Sequence, residues 1–175
     1  MAAPLSRAEP LDRGFDPLEP VIHVEGLGFP EDPVALPDGA IAFVDLLDQK
    51  IRLCRDGAVW EVCTLKGSPN GMRLGPEGAL YVANKRRPLA AKGEVVEPQI
   101  SGRLQRVTEE GVDSDVAVNL PGEAPCRPND LVFTALGDIV FTDPQNWEDI
   151  ARARAGLSYT PYRAASCCWC APTAT

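Results

Sequence analysis

Three stretches of this chain repeat one layout: an apolar run, a tight turn carrying glycine, and a second apolar run closed by Asp or Asn. They are PVALPDGAIAFVD (Pro33 to Asp45), NGMRLGPEGALYVAN (Asn70 to Asn84) and NDLVFTALGDIVFTD (Asn129 to Asp143). The turn glycines Gly39, Gly78 and Gly137 hold equivalent places, where a hairpin turn wants a residue free to take positive φ. After each of the first two units comes another hairpin pivoting on a glycine: IRLCRDGAVWEVC (Ile51 to Cys63) on Gly57, and GRLQRVTEEGVDSDVAVNL (Gly102 to Leu120) on Gly111. Two hairpins make four strands. A four-stranded antiparallel sheet recurring at roughly 40 to 60 residues is the pattern of β-propeller blades. Helical periodicity is nearly absent, so the chain is expected to be all-β, with about three blades present. A β-sandwich also uses short strands and turn signals, but it has no reason to repeat one unit. Val21 to Leu27 (VIHVEGL) reads as an extra leading strand, of the kind that completes the last blade of a closed ring.

At 175 residues and 45% hydrophobic content, the chain is long enough for one domain with a real core. Its net charge of −8 argues against a nucleic-acid partner, which would need a concentrated basic face. The single basic run, Lys85-Arg86-Arg87, reads as a solvated loop. The first 20 residues contain no continuous apolar stretch for a secretory signal, and nothing later approaches the ~20 apolar residues of a membrane span. The expectation is a cytoplasmic protein with no membrane partner. Of six cysteines, Cys54, Cys63 and Cys126 are scattered and read as small buried hydrophobes, whereas Cys167, Cys168 and Cys170 crowd into the tail. Those three thiols lack the paired, separated elements of a structural zinc site. His23 is the only histidine and sits on the leading strand. It reads as structural, which leaves a Ser-His-Asp or Cys-His mechanism without support.

Three motifs in order carry a resemblance. GFPEDPVALPDGAIAFVD, SPNGMRLGPEGALYVAN and CRPNDLVFTALGDIVFTDP resemble the first blades of the gluconolactonase, regucalcin and senescence-marker-protein family. The likeness runs over about residues 21 to 161 and covers the N-terminal half of that family's fold. It implies a six-bladed propeller with one divalent cation, usually calcium, in the central channel, and a sugar lactone or related cyclic ester as the small-molecule substrate. On the matching positions it implies Glu31 as a metal ligand and Arg127 with Asn129 as substrate contacts. Asn70 and Asp130 are implied as further channel-facing residues. Asp32 stands where the family often has glycine, so a local change of loop shape is expected. Trp147 and Glu148 match too loosely to carry a role.

The residue types suit this chemistry on their own terms. A hard cation prefers oxygen from carboxylates and amide carbonyls; such an ion polarises an ester carbonyl and lowers the pKa of bound water. A lactone hydrolase needs little more than this and a carboxylate base. Each residue also has a plainer reading. Asn129-Asp130 after Pro128 suits a turn cap without any metal, and Glu31 suits an exposed loop carboxylate. Asp143-Pro144 reads as turning the chain.

The organisation expected is a flexible N-terminal segment over 1–20, a partial propeller over 21–161, and an aberrant tail over 162–175. Written in G- or C-ending codons and read one frame over, the tail from Tyr162 can become PRGELLLVRPDG, a propeller-like strand and turn, so a frameshift is the expected origin of YRAASCCWCAPTAT. With the later-blade ligands and the base outside the chain, the expectation is a lactonase lineage that is inactive and binds calcium weakly or not at all. The catalytic residue is unknown on this reading. The alternatives are a non-catalytic propeller that binds a ligand or protein, and the strictosidine-synthase-like branch, which shares the ring without the metal chemistry.

Overall fold

The computed structural model describes residues 20–85, 102–118, 126–145 and 154–160. The N-terminal segment to residue 19, the tail from 161 with Cys167, Cys168 and Cys170, the Arg86-Arg87 pair, and Trp147 with Glu148 lie outside the described residues. Every regular element among the described residues is a strand, and none of them forms a helix long and apolar enough to cross a membrane.

The strands form three antiparallel sheets in chain order. The first is a meander of β1 (Pro30–Ala35), β2 (Ile41–Asp45), β3 (Lys50–Arg55) and β4 (Ala58–Thr64). The second repeats it with β5 (Ser68–Leu74), β6 (Leu80–Lys85), β7 (Arg103–Val107) and β8 (Asp113–Ala117). In the third, β10 (Ile139–Gln145) lies between β9 (Leu131–Phe133) and β11 (Arg154–Thr160). The repeat is geometric as well as sequential. Gly39, Gly78 and Gly137 sit at φ of +87°, +86° and +85°. The three turns close with matching bonds: Leu36, Gly75 and Thr134 each donate an amide to the residue after the glycine at 2.8 Å, and each glycine amide returns a bond at 3.0 Å. The Gly57 hairpin instead takes the two-residue form with both central residues at positive φ, Asp56 at +52° and Gly57 at +79°.

Strand alternation explains how the sheets stack. Successive side chains point to opposite faces, and β6 uses both: Leu80 and Val82 pack with Ala42, Val44 and Ile51 of the first sheet. Tyr81 and Ala83 pack with Leu131, Ile139 and Phe141 of the third. The Tyr81 ring meets Phe133 edge-on with centroids 5.0 Å apart. A sandwich core has two facing sheets; here the middle sheet is buried on both faces, as a propeller blade is. The first strand of each sheet is the innermost, with β1 against β5 and β5 against β9.

Two expectations need correction. Val21 to Leu27 forms no strand. A strand requires a neighbour to take its N–H and C=O groups, and the described strands give this stretch none; Val21 and Ile22 are exposed and Gly26 turns the chain at φ +78°. Of the three scattered cysteines, Cys54 and Cys126 are buried, but Cys63 is only half-buried.

Candidate cation and substrate site

The strand repeat carries a second repeat at its entrance. Phe29-Pro30-Glu31, Ser68-Pro69-Asn70 and Arg127-Pro128-Asn129 stand at the same distance before their turn glycines. Proline holds the preceding residue extended, and in each case that residue's amide is taken by the buried Asp or Asn closing the second strand. Phe29 N donates to Asp45 Oδ1 at 2.9 Å, Ser68 N to Asn84 Oδ1 at 2.8 Å, and Arg127 N to Asp143 Oδ1 at 2.9 Å. Asp45 also accepts from Gly28 N at 3.2 Å and lies 3.2 Å from the Arg52 guanidinium. Asn84 donates to Lys66 O at 2.8 Å and to Gln105 Oε1 at 2.7 Å. The recurring Asp and Asn therefore latch the entry of each blade. Asp143 belongs to this set, and it does not turn the chain as expected: Asp143 and Pro144 lie within β10, opposite Gly156 and Ala155 of β11.

One residue past each proline comes an oxygen-bearing side chain: Glu31, Asn70 and Asn129. The structure places these on successive innermost strands or at their entry, all partly buried. Backbone contacts tie the three places together. Gly71 N donates to Asn129 O at 2.7 Å, and a Cβ on Gly71 would lie 2.5 Å from Asp130 Cα and 2.6 Å from Asn129 O. Only glycine allows β5 and the entry of β9 to approach this closely. On the other side, Met72 N donates to the Asp32 carboxylate.

Asp32 explains the departure from glycine. It stands at φ +44° in the bulge between Glu31 and Val34, a conformation that Asp tolerates better than most residues. Its carboxylate holds Met72 N and forms an ion pair with Arg73. Arg73 reaches across to Asp130 as well, at 3.1 Å to Oδ1 and 3.2 Å to Oδ2. Asp130 is thus engaged by Arg73, and its Oδ1 accepts from Leu131 N at 2.7 Å. Arg73 was missed in the sequence. The signal was a cation at the place where the neighbouring repeats carry Val34 and Val132.

Arg127 is half-buried, with its backbone amide committed to Asp143. Burial pushes the Lys85 pKa down, while the Glu31 carboxylate nearby opposes that shift; a cationic side chain therefore stands beside the candidate metal ligand. Burial likewise pushes the thiols of Cys63 and Cys126 up to about 11. Both stay protonated at neutral pH and are poor nucleophiles.

In kind, one carboxylate and two amides fit a hard cation and not a thiophilic one. They are fewer than the six to eight oxygens calcium takes, and no three His, Cys, Asp or Glu side chains among the described residues group closely enough to hold a metal. A cleft of about 300 Å³ lies at the opposite end of β1 and β5, between the first two sheets. Its lining is mostly apolar, from Leu36, Leu53, Val62, Leu74, Leu80 and Val107, with Asp38, Thr108 and Glu109 as its polar members.

No family model matches the chain. No curated protein matches it either. Solved structures do. A gluconolactonase from Xanthomonas campestris superimposes with a TM-score of 0.57 at 19% identity, over 77% of this chain and 45% of that one. A structure provisionally named a gluconolactonase gives 0.57 at 19%, over 78% and 50%. The PQQ-bound aldose sugar dehydrogenase of Streptomyces coelicolor gives 0.52 at 15%, over 71% and 40%. The chain spans about half the length of the structures it matches or less. At these identities the likeness establishes the β-propeller fold, which carries both lactonase and dehydrogenase among these neighbours.

Proposed function

We propose that this chain is part of a metal-dependent hydrolase of sugar lactones or related cyclic esters, with Glu31 as a ligand of a divalent cation, calcium in the first instance. Arg127 and Asn129 are its substrate contacts, and Asn70 adds an oxygen donor at the same level. The observation that carries the reading is the threefold placement of Glu31, Asn70 and Asn129, each delivered by the same proline and latch to adjoining innermost strands. Two gluconolactonase-type neighbours with the same fold support it.

A cation held there supplies a Lewis acid for the ester carbonyl and a more acidic bound water. Glu31 contributes the negative charge that retains it, and the Asn70 and Asn129 amides contribute neutral oxygens. Arg127 offers a guanidinium to substrate oxygens. A general base is not among these groups. The neighbouring carboxylates are already engaged: Asp32 and Asp130 by Arg73, and Asp45 and Asp143 by the entry amides.

The 175-residue chain is therefore expected to bind calcium weakly, with a dissociation constant on the order of 10⁻⁴ to 10⁻³ M as in low-affinity oxygen sites, and to hydrolyse no lactone. Calorimetric titration with calcium tests this. Binding that disappears in Glu31→Gln supports the reading; identical binding in wild type and Glu31→Gln overturns it. Lactone turnover followed with a pH indicator would overturn the assignment of an incomplete site.

A further inference from the structure

We infer that Arg73 is the positioning residue of this channel end: its guanidinium bridges Asp32 and Asp130 across three blades and so holds Glu31 and Asn129, the residues immediately before them, beside Asn70. The inference rests on the reading that those three donors form one site.

The geometry is specific to this set. Asp32, Gly71 and Asp130 occupy equivalent places in the three repeats, so a residue with no side chain separates two carboxylates. Gly71 lets the strands approach, and Arg73, two positions along β5, supplies the cation. One nitrogen of its fork, Nη1, meets Asp32 and also the Met72 carbonyl at 2.6 Å; the other, Nη2, meets Asp130. The contacts link residues 41 and 57 positions apart and join separate sheets, so they constrain how the blades sit against each other. Each carboxylate holds a backbone amide in turn, Asp32 that of Met72 and Asp130 that of Leu131. The fork thereby fixes main chain on both sides of the donors. A lysine keeps the charge but offers a point cation on a flexible stem, unable to span two carboxylates as a planar fork does.

Position and charge pull cation binding in opposite directions, which makes the inference testable. A guanidinium acting only as a nearby positive charge repels a cation, so its removal raises calcium affinity. A guanidinium that positions the donors lowers affinity when it is lost. The experiment compares wild type, Arg73→Met and Arg73→Lys by amide hydrogen exchange in metal-free buffer and by calcium titration. Exchange at Met72 and Leu131 should accelerate about tenfold or more in both variants, as expected when a hydrogen bond to a charged group is released, and calcium should bind more weakly in both.

Arg73→Lys retains charge and stem and keeps the test open if Arg73→Met does not fold. Wild-type exchange in Arg73→Lys, or tighter calcium binding in either variant, overturns the inference. Failure of the underlying reading looks different: wild type that binds no calcium, with both variants still exchanging faster, removes the shared cation site and leaves only a clasp between blades.

Discussion

Replacing Asn84 with alanine should be among the most damaging single changes in the described part of the chain. The side chain is fully buried and makes three hydrogen bonds, accepting from Ser68 N and donating to Lys66 O and Gln105 Oε1. Ser68 and Gln105 are themselves buried, at 2% and 3% exposure, so water cannot readily replace the lost partner. At about 1 kcal/mol net for each bond, with a larger cost for a buried group left unsatisfied, the loss is about 3 kcal/mol or more. That is a large share of the ~5–15 kcal/mol that holds a typical domain together. Urea unfolding followed by tryptophan fluorescence measures it. Glu61→Ala serves as the control: its ion pair with Lys50 is on the surface, where such pairs contribute ~0–1 kcal/mol. If Asn84→Ala lost no more than Glu61→Ala, the latch at the end of the second strand would not be the device that organises each blade's entry.

Further predictions follow from the same geometry. Gly71→Ala places a methyl 2.5 Å from Asp130 Cα and should cost about 1–3 kcal/mol by overpacking against main chain; unchanged urea midpoints would mean that β5 and the β9 entry can separate freely. The raised Cys126 pKa has a definite sign. The native thiol keeps its proton up to about 11, whereas an ordinary thiol titrates near 9.0, so its contribution is complete below pH 9.0 and is lost as pH rises through that window. Cys126→Ala should show a shallower alkaline loss of stability than wild type, and parallel profiles would contradict this. Asp32→Gly relieves a positive φ but removes the carboxylate from Arg73 and Met72 N. Hydrogen exchange at Met72 should accelerate, and an unchanged rate would show that the contact is idle.

The hairpins were legible because their information is local. A glycine at a turn between apolar runs specifies its own bonding, and Gly39, Gly78 and Gly137 fold alike for that reason. The leading strand at Val21 to Leu27 was misread because its residues have the right propensities, while pairing depends on a neighbour that propensity does not supply. The Asp32–Arg73–Asp130 bridge was illegible as a contact, since it joins three sheets through long-range stacking. Glu31, Asn70 and Asn129 were singled out through resemblance to a family. Their common placement behind a proline and a latch became visible only when Asp45, Asn84 and Asp143 were seen holding the entry amides. The third sheet's β11 is not legible in the sequence, because Arg154–Thr160 carries little apolar alternation.

On the function proposed above, one end of the innermost strands gathers oxygen donors for a cation. Manganese(II), a paramagnetic ion suited to oxygen ligands, reports its own location through broadening of nearby amide signals. Substoichiometric manganese should broaden Glu31, Asn70 and Asn129, leave Gly39, Gly78 and Gly137 at the far ends of the hairpins sharp, and lose this pattern in Glu31→Gln. Broadening centred on the turn glycines, or a pattern unchanged by Glu31→Gln, would contradict it.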